Sequence, residues 1–187
     1  ARFGYGYVMG AEQAAKDLGL NKGDVKVIYW YSGDFVPSPE KLTTVKGWYQ
    51  TGTDVIFACG GTICQNAFAA AEELNKAVIG VDMDQSGDSP TVITSATKGC
   101  AKATYDALIG YKNGNFPGGV DAVLGASVDC VGLATGDSWR LKNYTVEQYE
   151  ELYDRIKNDV DGIASSTTYA DDLDELLLSN SLIVFKV

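Results

Sequence analysis

"DVIFACGGTICQNAFAAAEELNKAVIGVDMDQ", residues 54–85, decides the fold. An apolar run, DVIFACGG, gives way after Gly60 and Gly61 to a small-residue stretch with helical periodicity from Thr62 to Leu74, and a second apolar run, KAVIGVDMD (76–84), follows. Apolar strands separated by an amphipathic helix make a β-α-β unit, and strands without polar alternation are those buried on both faces of a parallel sheet with right-handed crossovers. The rhythm continues on either side. Upstream, DVKVIYWYSG (24–33) reads as a strand and SPEKLTTVKGWYQTG (38–52) as a helix capped by Ser38 with Pro39 in its first turn. Downstream, TVITSATKG (91–99) reads as a strand and CAKATYDALIGYKNGNF (100–116) as a helix. The expected architecture is α/β: a Rossmann-like, doubly wound, mostly parallel sheet.

The ends of the chain break this rhythm. RFGYGYVMGAEQAAKDLGL (2–20) sets Tyr7, Val8, Ala11, Ala14, Ala15 and Leu18 near one helical face, with no strand ahead of it. The glycine-spaced segment 117–136 reads as two strands or one long bent one, and residues 145–163 as an amphipathic helix capped by Thr145. The tail combines an acidic, helix-capable stretch with the apolar run LIVF, and no repeat or low-complexity segment is present.

Composition narrows the function. The 187 residues are 45% hydrophobic and 21% charged, enough for one compact unit with a good core. A net charge of -10 without a Lys/Arg cluster argues against a nucleic-acid footprint and against docking by charge to anionic lipid. No apolar run approaches the roughly 18–20 residues of a membrane-spanning helix. The chain has no histidine, and its four cysteines, Cys59, Cys64, Cys100 and Cys130, lack C-x-x-C spacing, so neither a metal site nor a cofactor is expected.

In an open α/β sheet, ligands lie beyond the carboxyl ends of the strands, where helix N-termini offer unpaired N–H groups. Gly60, Gly61 and Thr62 end one strand and open a helix: the glycines let a ligand approach the main chain, and Thr62 is placed to cap the helix. The plain alternative is a tight turn. The motif is not G-x-G-x-x-G and no Walker lysine follows, which disfavours dinucleotides and nucleoside triphosphates. In GVDMDQ (80–85), Asp82 and Asp84 are spaced to project to one side if the strand persists, and a carboxylate there can accept two hydrogen bonds from a vicinal diol. Turn and cap duty is the competing role for each, and no nucleophile motif supports acid-base catalysis. Lys98, after the next strand, is a candidate donor to a heterocycle or sugar oxygen, or a solvated lysine. Phe57 could stack on a base, although most aromatics serve packing. Asp34 and Phe35 follow their own strand with the same ambiguity.

These residues carry a resemblance. DVIFACGGT, AVIGVDMDQ, VITSATKG, ALIGYKNGNFPGG and VGLA, in that order, resemble the basic membrane protein family of lipoprotein substrate-binding proteins, which includes purine nucleoside receptors of bacterial ABC transporters. The GVDxDQ block followed by TSxxK is the most specific part; a strand followed by GGT alone is weak. The resemblance implies a type I periplasmic-binding-protein fold, with two lobes that close on a nucleoside and hand it to a permease from a lipid-anchored or periplasmic position. It implies ligand contacts by Gly60, Gly61, Asp82 and Lys98, with Phe57 a weaker stacking candidate. It further implies that residues 1–187 form the second, C-terminal lobe of a longer protein and lack most of the first. The chain would cross the hinge near 93–99, and helix 100–116 would have lost the lobe it packs on, leaving a surface for dimerisation or domain exchange. The expected function is therefore nonenzymatic capture of a purine nucleoside. The alternatives are a ligand-sensing regulatory domain of the same fold, for which no basic helix is present, and a Rossmann-type enzyme, which lacks a phosphate loop.

Overall fold

The computed structural model describes residues 2–116, 118–164 and 183–186. They divide into two compact units, residues 1–35 with 165–187 and residues 36–164, where composition alone suggested one. The division follows the apolar residues, which gather into two separate cores.

The first unit contains helix α1 (Arg2–Asp17), strand β1 (Lys26–Tyr29) and, at the far end of the chain, strand β6 (Ile183–Lys186), which pairs with β1 in parallel. Val8 and Ala15 of α1 are buried among Tyr5, Met9, Ala11, Val25, Val27 and Tyr29, so Val8, Ala11 and Ala15 of the face read from the sequence are packed, whereas Ala14 is exposed. Leu18, assigned to that face, is exposed because α1 ends before it. A Cβ on Gly4 would collide with the Tyr29 hydroxyl, so glycine at that position lets α1 lie close to β1. Within the tail, Ile183, Val184 and Phe185 of the LIVF run lie in β6; the acidic stretch before it lies outside the described residues.

The second unit is a four-stranded sheet in the order β2-β3-β4-β5. Strands β2 (Val55–Phe57), β3 (Ala77–Asp82) and β4 (Val92–Lys98) are parallel, and β5 (Val131–Leu133) runs antiparallel to β4. Helices α2 (Pro39–Gln50) and α3 (Cys64–Leu74) share a core with the sheet, in which Val45, Tyr49, Phe68, Ala70, Ala71, Val78 and Val92 are buried. Burying each large apolar side chain contributes about 1.5–3 kcal/mol. Ser38 caps α2, accepting from Lys41 N–H, while its own N–H donates to the buried Asn66 at 3.1 Å. A local signal thus sets where α2 begins, and a nonlocal bond sets how it meets α3.

Four boundaries depart from the sequence reading. The glycine-spaced segment 117–136 supplies only the short strand β5, preceded by a 3-10 turn at Ala126–Val128. Helix α4 (Cys100–Lys112) stops short of Phe116, and α5 (Val146–Lys157), with Thr145 and Gln148 forming a reciprocal capping box, stops short of Ile163. Thr62 does not cap α3. It lies inside a 3-10 turn, Gly61–Ile63, made possible by Gly61 at φ +57°, and α3 then starts at Cys64 without a side-chain cap.

Candidate functional site

Because β2, β3 and β4 are parallel, their carboxyl ends meet at one edge of the second unit. Phe57, Gly60 and Gly61 come from β2 and its turn, Asp82 from the last position of β3, and Lys98 from the last position of β4. The glycines are required by geometry. Gly60 carries φ -141° and ψ 39°, where a Cβ would sit 2.5 Å from Ile63 Cγ2, and Gly61 is left-handed. Phe57 is half-buried, in register with Ile79 of β3.

Asp82 has φ +72°, and Met83 N–H donates across it to Val81 O at 2.9 Å. A three-residue turn with its central residue in the left-handed region is a rare, strained γ-turn, and such strain persists only where surrounding contacts hold it. The turn sends the Asp82 carboxylate toward β4, where Lys98 Nζ lies 2.5 Å from its Oδ1. Both side chains are about half exposed, 48% for Asp82 and 47% for Lys98. An ion pair that open is worth roughly 0–1 kcal/mol, so a hydroxyl-bearing ligand can insert beside it at little cost.

Asp84 belongs to a different structure. Its side chain accepts from Ser86 N–H at 3.0 Å and from the Ser138 hydroxyl, which also lies 3.1 Å from Ser86 Oγ. The Ser138 and Ser86 bonds hold its carboxyl below the usual aspartate range. The expectation that Asp82 and Asp84 project together is therefore corrected: the strand ends at Asp82, and the γ-turn there breaks the alternation that would align them. Asp84 secures the β3–β4 loop, and Arg140 secures it further. The guanidinium donates to Ser86 O at 3.3 Å, Ser89 O at 3.2 Å, Pro90 O at 3.3 Å and Val92 O at 2.9 Å. Sequence reasoning missed Arg140, since nothing local marks a side chain that binds main-chain oxygens some fifty positions away.

Behind Lys98, Gly99 N–H donates to Cys130 O at 2.7 Å, and a Cβ on Gly99 would lie 2.8 Å from Cys130 Cα. Helix α5 braces that approach. Lys157 bonds both Asp129 oxygens at 2.6 and 2.8 Å, Tyr149 Oη accepts from Leu133 N–H at 2.8 Å, and Tyr153 Oη donates to Val131 O at 2.9 Å. Burial pushes the Tyr153 phenol up to about 12, so it remains a donor at every physiological pH. Among the described residues no group of histidine, cysteine or carboxylate side chains could hold a metal ion, and no helix is long and apolar enough to cross a membrane.

Elsewhere on the unit, α4 buries none of its residues. Tyr105, Leu108 and Tyr111 are 63–74% exposed, and Leu108 and Tyr111 with Phe116 border an open groove of about 500 Å³ floored by Ala103, Thr104 and Ala107. In the first unit, Phe35 is also exposed.

A mostly parallel α/β sheet with polar groups gathered at its carboxyl edge is the arrangement in which open α/β folds hold small ligands. Residues 1–167 match the family model described as ABC transporter substrate-binding protein PnrA-like, and the chain belongs to that family. It is 32% identical over 136 residues to the ABC transporter nucleoside-binding protein BmpA of Lactococcus lactis subsp. cremoris, spanning 63% of this chain and 37% of that protein. It is also 32% identical over 157 residues to basic membrane protein D of Borreliella burgdorferi, spanning 82% of this chain and 42% of that one. Among solved structures, an ABC transporter solute-binding protein from Aeropyrum pernix K1 shares the fold, with TM-score 0.67, 22% identity, and coverage of 93% of this chain and 56% of that one. A transcriptional activator of the comK gene from Bacillus halodurans shares it with TM-score 0.58 at 14% identity, covering 88% of this chain and 62% of that one. The chain thus spans about two fifths of the length of these curated relatives.

Proposed function

We propose that this chain is the nucleoside-gripping part of an extracytoplasmic substrate-binding protein, periplasmic or lipid-anchored, that delivers a purine nucleoside to an ABC permease and does not turn it over. The observation that carries the reading is Asp82, held in a left-handed turn at the carboxyl edge of the sheet with Lys98 beside it. A carboxylate so aimed accepts from both hydroxyls of a ribose, and the ammonium donates to a neighbouring ligand oxygen or nitrogen. Gly60 and Gly61 let the ligand reach main-chain groups next to them, and half-buried Phe57 borders the same edge. The nucleoside-binding relative in L. lactis supports the substrate class.

Residues 1–187 make up the second lobe in this reading, with β4 near 93–99 at the hinge. The exposed face of α4 is covered by the remainder of a longer polypeptide, in keeping with the fraction of its relatives that the chain spans. Separated from that remainder, the face is free to pair with a second copy. The test is calorimetric titration of the complete protein, wild type and Asp82→Ala, with guanosine, inosine, adenosine, pyrimidine nucleosides, free bases and ribose. Losing two hydrogen bonds to a charged acceptor predicts a fall in nucleoside affinity of about 100-fold or more. Equal binding by both proteins refutes the role of Asp82, silence with every nucleoside refutes the substrate class, and conversion of a nucleoside refutes a purely binding role.

A further inference from the structure

The GVDMDQ motif ends in Gln85, a residue to which the reading above gives no ligand contact. Strand β2 makes its last bond to β3 through Ala58 N–H and Ile79 O, at 3.1 Å, and the chain then turns away at Cys59 and Gly60. Alternate residues of a strand turn their main-chain groups to the same edge, so Val81 presents its N–H and C=O to the edge that β2 has vacated. Val81 is buried, so its N–H and C=O each require a partner. The C=O takes Met83 N–H, which closes the γ-turn around Asp82. The N–H donates to Gln85 Oε1 at 2.8 Å.

Gln85 is itself anchored on two other elements. Its backbone N–H donates to Ser95 Oγ of β4 at 3.0 Å, and its Nε2 lies 3.4 Å from Cys64 Sγ at the start of α3. Gly80 makes the room, since a Cβ there would meet Gln85 Oε1 at 2.8 Å and Ser95 Oγ at 2.5 Å. One carboxamide therefore stands in for the strand that ended, gripping the residue just before the strained aspartate.

We infer that Gln85 is a positioning residue for Asp82. It fixes the end of β3 so that Asp82 stays left-handed and its carboxylate stays beside Lys98. Without that acceptor, the strand end is free to relax to the extended conformation that an aspartate prefers, which turns the carboxylate away. The inference rests on the reading of Asp82 as the ligand's hydroxyl acceptor, so its test has one arm that needs no ligand.

The complete protein is compared as wild type, Gln85→Met, Gln85→Glu and Asp82→Ala, together with the double variant Asp82→Ala/Gln85→Met. Amide exchange by NMR is the first arm. In Gln85→Met, Val81 exchange accelerates about tenfold or more while that of Val78 stays unchanged, and Gln85→Glu, which keeps an acceptor, restores protection. Affinity for inosine, guanosine and adenosine is the second arm. Gln85→Met weakens the bound nucleoside about tenfold in the wild-type background and has no further effect when Asp82 is already alanine. Unchanged Val81 exchange in Gln85→Met overturns the inference. Equal weakening in both backgrounds overturns it as well, because Gln85 then acts independently of Asp82. An Asp82→Ala protein that binds as wild type overturns the ligand reading instead, and Val81 exchange still decides whether Gln85 holds the strand end.

Discussion

Gly80 shows how tightly a single position is constrained. It faces Ser95 across the β3–β4 ladder, and the space a side chain would take is filled by Ser95 Oγ and Gln85 Oε1. Gly80→Ala should cost about 1–3 kcal/mol, the range for overpacking a filled site, read as a lowered melting temperature. Gly87→Ala, with no atom within 4 Å of its added Cβ, is the control and should leave the transition nearly in place. Asp84 makes a prediction in pH. Its folded carboxyl is depressed below the ordinary aspartate range, chiefly by the Ser138 hydroxyl. Its contribution to stability is thus fully present above the unfolded aspartate value and is lost as pH falls through the lower folded one. Because Asp84 is exposed, the effect is small, and NMR titration of its carboxyl carbon is the sensitive measurement. Ser138→Ala should move that titration upward toward the ordinary value; an unmoved curve would mean that Ser138 is not the cause.

Elements differ in how far the sequence announces them. Helix α2 was legible because Ser38 and Pro39 are local start signals, and β2, α3 and β3 were legible because hydropathy changes period where the structure changes. Strand β5 was not. Its antiparallel direction and short length depend on α5 and on Gly99 meeting Cys130, partners remote in sequence, while the glycine spacing around it gives no alternation. The candidate site divides in the same way. Its residues could be named as strand ends, but the contact of Asp82 with Lys98, the turning away of Asp84 and the reach of Gln85 all follow from one left-handed residue that tertiary bonds maintain. The dependence of β5 on α5 can be measured. Tyr149→Phe removes the acceptor of Leu133 N–H and should cost about 1–2 kcal/mol in denaturant unfolding. It should also speed exchange of the Leu133 amide more than that of Val78, whereas equal effects on both would point to general destabilisation.

At the scale of the whole molecule, the described residues form two compact units, and α4 exposes large apolar side chains on one of them. Leu108→Lys changes a residue that is 63% exposed here, so it should leave the unfolding of the 187-residue chain nearly unchanged. In the complete protein, where the proposed remainder covers α4, the same change should cost roughly 2–3 kcal/mol, the worth of one buried leucine. Sedimentation checks the companion expectation: the 187-residue chain should self-associate at high concentration, and Leu108→Lys with Tyr111→Lys should return it to monomer. Equal melting shifts in the two contexts would leave α4 a solvent-facing helix in the complete protein too.

The guanidinium of Arg140 gathers four carbonyl oxygens that would otherwise crowd one another, the task that a bound calcium ion performs in many surface loops. A cation built into the polypeptide cannot be chelated, exchanged or diluted away. The loop that carries Asp84 and Gln85 should therefore keep its shape in media whose divalent-ion content varies, an independence that would serve the extracytoplasmic role proposed above.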